Sequence, residues 1–181
     1  MDKLNVFKST GVAAGIIVGL VICVVLFKFM NSDSRIATRY DERQKAVRGK
    51  AYMYGFWGCV IAAAAVMVFD IGGFAVAGRF ATDFFIIFVG IAVQVAYSVW
   101  NDSYYGLNTN KKRFFIVCIV AVALNLFTVI MNIRMGTFIE NGMIGDSAVN
   151  LMCVILFALI GVEVAVKSII DGRSESEESG E

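Results

Sequence analysis

The chain has 181 residues, 59% of them hydrophobic, with mean hydropathy +0.75 and a net charge of +1. That is too apolar for a water-soluble domain, whose apolar share is ~45–50%, and the near-neutral charge excludes the basic excess that nucleic-acid binding requires. No histidine is present and the four cysteines stand apart, so a zinc site has no ligand set; no cofactor is implied, and no G-x-S-x-G, HExxH or phosphate-loop motif points to an enzyme.

Five apolar stretches follow one another along the chain, at about 11–29, 52–71, 81–100, 114–133 and 148–170. A hydrocarbon core of ~30 Å needs ~20 helical residues at ~1.5 Å each, so every stretch is long enough to cross. Without water at the bilayer centre each run must satisfy its own backbone groups, and strands of a barrel would alternate polar and apolar, which these do not. The predicted fold is an all-α membrane protein, a single bundle of five transmembrane helices over 1–170. Residues 171–181 follow with five acidic residues and no apolar one, which predicts a disordered cytoplasmic tail.

The first stretch is longer than the apolar core of a signal peptide and no small-x-small cleavage site follows it, so it reads as a retained helix. Gly11, Gly15 and Gly19 repeat at i, i+4 and i+8 and line one of its faces, where another backbone can come close. Gly55, Cys59 and Ala63 in the second stretch offer a matching small face. The expectation is that the first two helices pack together; homodimerisation through the first span is the alternative. The cysteines at 23, 59, 118 and 153 all fall inside spans, where they behave as small apolar residues.

Between the first two spans, residues 31–51 carry six basic and three acidic side chains. Asp41 with Gln44 three residues on forms a capping box that starts a helix, and Glu42 suits its dipole. Arg43, Lys45, Arg48 and Lys50 then lead into Tyr52, Tyr54, Phe56 and Trp57, a basic junction with aromatic anchors at headgroup level. This connection is the candidate docking surface for a protein partner or for anionic lipid. Across the chain, twelve Lys and Arg residues fall on the side of the first and third connections and the C-terminus, against four on the other. The excess places that side in the cytoplasm and the N-terminus outside. At the outer face Asp70, Arg79 and Asp83 read as an ion-pair cluster, and Asn141-Gly142 as a turn.

Polar residues within spans are the places to look for function. Glu163 lies about seven residues from the end of the fifth span, ~10 Å deep. Lys167 follows at i+4, and a Glu163–Lys167 pair is the plain expectation. Gln94 and Asn125 either hydrogen-bond between helices or line a polar seam with Glu163. Two function classes follow. One is a non-enzymatic membrane protein that acts as accessory, regulatory or immunity-type partner of another protein; the other is a small transporter or channel component built on that seam.

The residues Asp41-Glu42-Arg43-Gln44 with Arg48-Gly49-Lys50-Ala51-Tyr52 resemble the junction before the second span in small multi-pass membrane proteins of Gram-positive bacteria (Firmicutes). The resemblance implies a bacterial plasma-membrane location and supplies no activity or site residues.

Overall fold

A computed structural model describes residues 3–74, 76–140 and 142–178, with the side chains of 3–16, 140 and 172–178 outside the described set. The chain is helical, with α1 (Lys3–Met30), α2 (Glu42–Ile71), α3 (Arg79–Trp100), α4 (Lys111–Met135) and α5 (Ala148–Glu178). The described residues also hold a hairpin of β1 (Ile139–Glu140) and β2 (Met143–Ile144). Among the described residues, α2, α3, α4 and the Ala148–Asp171 part of α5 are long and apolar enough to cross a membrane, and Ile17–Met30 of α1 is a shorter apolar stretch. Their outward side chains are large and apolar: Ile71 is 84% exposed and Ile61 68%. Water would penalise such a surface heavily, whereas hydrocarbon accepts it.

α5 runs past Ile170 to Glu178. Residues 171–178, expected to be disordered, are therefore helical, and 179–181 lie outside the described residues. Extending a helix already nucleated in the span adds one hydrogen bond per residue fixed, and no apolar contact is needed for that.

The chain divides into two compact units. The first holds residues 1–39 and 106–117. Here the connection after α1 is tied to the residues preceding α4. Asn110 N–H donates to Met30 O at 2.8 Å, Ser32 N–H to Asn108 O at 2.7 Å and Leu107 N–H to Arg39 O at 2.8 Å. The buried Asn108 side chain completes the knot: its amide donates to both Asp33 oxygens (3.1 and 3.2 Å) and to Ala37 O (3.1 Å), and its oxygen accepts from Arg39 N–H at 2.8 Å. Asn31, 1% exposed, donates to Arg35 O at 2.8 Å. The Arg35 backbone N–H, 3.1 Å from Asp33 Oδ1, holds that carboxyl below its usual range, and the Asn108 amide adds to this. Gly19 has no described atom within 4 Å of where a Cβ would stand. Nothing described packs on it, and the surroundings of Gly11 and Gly15 lie outside the described residues.

The second unit holds residues 40–105 and 118–181. Its core is the seam of α2 on α3, built from small residues. Gly55, Gly58 and Ala62 are buried on α2 and Gly90 on α3. A Cβ on Gly55 would stand 2.9 Å from Gly90 O and from Gln94 Cβ; one on Gly90 would collide with Cys59 Sγ and stand 2.9 Å from Gly55 O. The small face of α2 therefore meets α3, where the sequence predicted α1. Glycine spacing signals a close approach but not which helix makes it. α3 also packs against α5, whose Leu156, Ile160 and Val164 are buried at i, i+4 and i+8.

At the end of this unit away from residue 41, Ile144 N–H donates to Val76 O (3.0 Å) and Gly78 N–H to Ile144 O (2.9 Å), adding the α2–α3 link to the hairpin. Gly142 turns the hairpin at φ +79°, as its Asn-Gly signal predicts. Among the described residues no ion pair joins Asp70, Arg79 and Asp83. Thr82 instead hydrogen-bonds the Gly78 carbonyl at 3.1 Å near the start of α3.

Candidate functional site

The most organised polar surface lies in the second unit, where the first turns of α2 grip the loop that follows α3. α2 starts as its sequence dictates. Asp41 is extended, its Oδ1 accepts from Gln44 N–H at 2.6 Å, and Gln44 Oε1 accepts from Asp41 N–H at 3.3 Å. The Gln44 amide then does a second job, donating to Asp102 O and Tyr105 O, both at 3.1 Å. Locked by the capping box, that side chain loses little further freedom in reaching the loop.

Two arginines reinforce it. Arg43 Nη2 reaches Asn101 O at 3.4 Å and Asp102 Oδ2 at 3.7 Å. Arg48 reaches Ser103 O at 3.5 Å and Tyr52 Oη at 2.8 Å, with its guanidinium over the Tyr40 ring at 4.1 Å. A planar guanidinium can bond in its plane and stack on its face at once, which a lysine cannot do. From below, the buried Ser103 donates N–H (2.9 Å) and Oγ–H (3.3 Å) to Ser98 O. Asp102 holds the turn at φ +56°, an uncommon conformation for a residue other than glycine.

α5 supplies the other side. Lys167 Nζ lies 3.2 Å from Asp102 Oδ1 and 2.8 Å from Asp171 Oδ1. The expected Glu163–Lys167 pair is thus not formed. A lysine stem lies along apolar surface and its head turns toward the wet end of the helix, where Asp102 and Asp171 stand as ready carboxylates. Among the described residues Glu163 makes no hydrogen bond or ion pair, and it stands near enough to Tyr104 for its charge to act on that phenol. Gln94 and Asn125 stay within their own helices. Gln94 Nε2 donates to Ser98 Oγ at 3.4 Å, and Asn125 Nδ2 to Ala121 O at 2.8 Å. No hydrogen bond joins any two of Glu163, Gln94 and Asn125 among the described residues. Each of the two amides thus has a partner one turn away on its own helix, Ser98 for Gln94 and Ala121 for Asn125.

Of the basic junction, then, Arg43 and Arg48 hold the loop and Lys45 pairs locally with Glu42 at 2.7 Å. Lys50 makes no hydrogen bond or ion pair among the described residues. The sequence did not single out Asp102, Ser103, Tyr104 or Tyr105. Their only signal is a cluster of Asn, Asp and Ser, side chains short enough to shape a turn, directly after a span. No group of three Cys, Asp or Glu side chains could hold a metal ion among the described residues.

Desolvation pushes the Tyr104 phenol well above its ordinary value near 10, helped by the charges of Cys118, Tyr105, Tyr40 and Glu163. Tyr105 is raised for the same first reason. Both stay neutral at physiological pH. Because the folded value is the higher one, the unfolded chain releases its proton first as pH rises. Stability is therefore fully present up to about pH 10 and falls above it. Melting in detergent should show this flat region and fall, and Tyr104→Phe should make the fall shallower; a melting point as steeply dependent on alkaline pH in Tyr104→Phe as in the parent would refute the assignment.

Comparison of the chain with protein-family models, with curated proteins and with solved structures finds no match.

Proposed function

We propose that this is a five-span protein of a bacterial plasma membrane, with its N-terminus outside and C-terminus in the cytoplasm, acting without catalysis as an accessory, regulatory or immunity-type partner of another protein. The charge asymmetry of the loops supports the orientation, and the junction resemblance supports the bacterial membrane. The observation that carries the functional reading is the grip of Gln44, Arg43 and Arg48 on residues 101–105. A surface fixed in advance by such bonds loses little entropy when a partner binds. Its outer edge presents Lys45 and Glu42, both largely exposed, beside an Arg43 that is itself 71% exposed. The transporter alternative needs a shared polar cavity, and Gln94 and Asn125 are instead bonded to their own helices.

A photo-crosslinking residue in place of Lys45, in cells, should yield one discrete protein adduct. Gln44→Ala, which releases the loop but leaves the span intact, should weaken that adduct about ten-fold if two loop hydrogen bonds and half the capping box are lost. A diffuse smear of adducts unchanged by Gln44→Ala would sink the proposal.

A further inference from the structure

An open groove of about 560 Å³ runs along the face of the α2–α3 pair, within the ~300–1,000 Å³ of sites that hold small molecules. Tyr54, Trp57 and Ile61 line it from α2, and Ala96, Tyr97 and Trp100 from α3. The Tyr54 and Tyr97 rings meet at 4.9 Å. Apart from these phenols and Asn101, which follows Trp100, the walls are apolar, and they face outward: Trp57 is 54% exposed and Trp100 49%.

Helical phase puts Lys50 on the same stripe. Lys50, Tyr54, Trp57 and Ile61 stand at i, i+4, i+7 and i+11, so they share one face of α2. At ~1.5 Å per residue Trp57 is ~10 Å and Ile61 ~16 Å deeper than Lys50. The stripe thus reads, from the basic end inward, as cation, phenol, indole and aliphatic. That is the order of a phospholipid from phosphate to acyl chain. Among the described residues Lys50 is also the one cation of α2 with no partner, since Arg43, Lys45 and Arg48 are engaged.

We infer that this groove is a binding site for an acidic glycerophospholipid of the surrounding bilayer, its phosphate on the Lys50 ammonium and an acyl chain along Tyr54, Trp57 and Ile61. The inference rests on α2 and α3 spanning a membrane. Charge complementarity at the mouth and apolar walls below it select the occupant. A zwitterionic lipid would fill the same walls but bring its own cation to Lys50, and a soluble anion would leave the walls unused.

The two tryptophans of the chain, Trp57 and Trp100, both line the groove, so their fluorescence reads its occupant directly. The full chain is reconstituted in phosphatidylcholine vesicles containing a minor fraction of lipid brominated on its acyl chain, either phosphatidylglycerol or phosphatidylcholine. Brominated phosphatidylglycerol should quench as though enriched about five-fold over its mole fraction, the equivalent of ~1 kcal/mol for one basic side chain. Lys50→Gln should bring that enrichment down to the phosphatidylcholine level, and Lys50→Arg should retain it. Lys45→Gln, equal in charge but off the stripe, should leave it unchanged. Equal quenching by both lipids in the parent, or equal loss in Lys45→Gln and Lys50→Gln, overturns the site while leaving membrane insertion intact. No quenching by either lipid overturns insertion and the site together.

Discussion

Gly90→Ala, a change of one methyl group, should lower the stability of the second unit by about 3 kcal/mol, the upper part of the ~1–3 kcal/mol typical of overpacking. The added Cβ would meet Cys59 Sγ and, at 2.9 Å, the Gly55 carbonyl oxygen. A sulfur can swing to another rotamer; a backbone oxygen in mid-helix cannot move without its helix. Helices in a bilayer associate through close packing rather than through exclusion of water. Forcing α2 and α3 apart therefore removes the main attraction between them, and no hydrophobic gain compensates.

Unfolding in mixed micelles, followed by far-ultraviolet circular dichroism, measures the loss. Two comparisons isolate the mechanism. Gly161→Ala places a Cβ where nothing lies within 4 Å and should be neutral or stabilising by up to ~1 kcal/mol, from helix propensity alone. Cys59→Ala combined with Gly90→Ala removes the sulfur but not the carbonyl, so it should recover part of the loss and not all of it. Non-additivity of that sign marks a direct contact. If Gly90→Ala is as benign as Gly161→Ala, the seam is not the core of this unit.

Hydropathy made the helices legible because it records a change of solvent. The stretch predicted at 81–100 is α3, Arg79–Trp100, and that at 114–133 is α4, Lys111–Met135. The start of α2 was legible for a different reason: a capping box is written within four residues, Asp41 to Gln44. Contacts between distant residues were not legible. Gly55 announced a close approach, but any helix with a glycine could supply it, and Gly90 sat unmarked in α3. Lys167 had Glu163 one turn behind it, Asp171 one turn ahead and Asp102 65 positions earlier in the chain. Sequence spacing favoured the first, and the position of the ammonium along the helix decided for the other two. The site residues 101–105 were hidden because a clasp made largely to backbone carbonyls, as at Asn101, Asp102, Ser103 and Tyr105, leaves little trace in residue type.

The same reasoning makes Asn108 the residue on which the first unit depends. Its amide and carbonyl serve Asp33, Ala37 and Arg39 together, and only a primary amide of this length both donates twice and accepts at one point. Asn108→Ala leaves the Arg39 N–H and the Ala37 carbonyl without those partners. At ~1–3 kcal/mol for each abandoned group, partly relieved by entering water, the local loss should be about 2–3 kcal/mol. The connection would then open about 30- to 150-fold more often. Trypsin reads this directly, because Arg35 and Arg39 lie inside the pinned segment. Limited digestion of the full chain in detergent should cut there faster by that factor, while cleavage at Lys111 and Lys112, on the first turn of α4, should change far less. Asn108→Asp separates the two halves of the side chain: it keeps the acceptor for Arg39 but sets a second carboxylate against Asp33, so it should open the connection at least as much as alanine does. Resistance to trypsin in Asn108→Asp equal to that of the parent would show that the Asp33 contact contributes nothing, and that the backbone bonds of Ser32, Leu107 and Asn110 hold this unit by themselves.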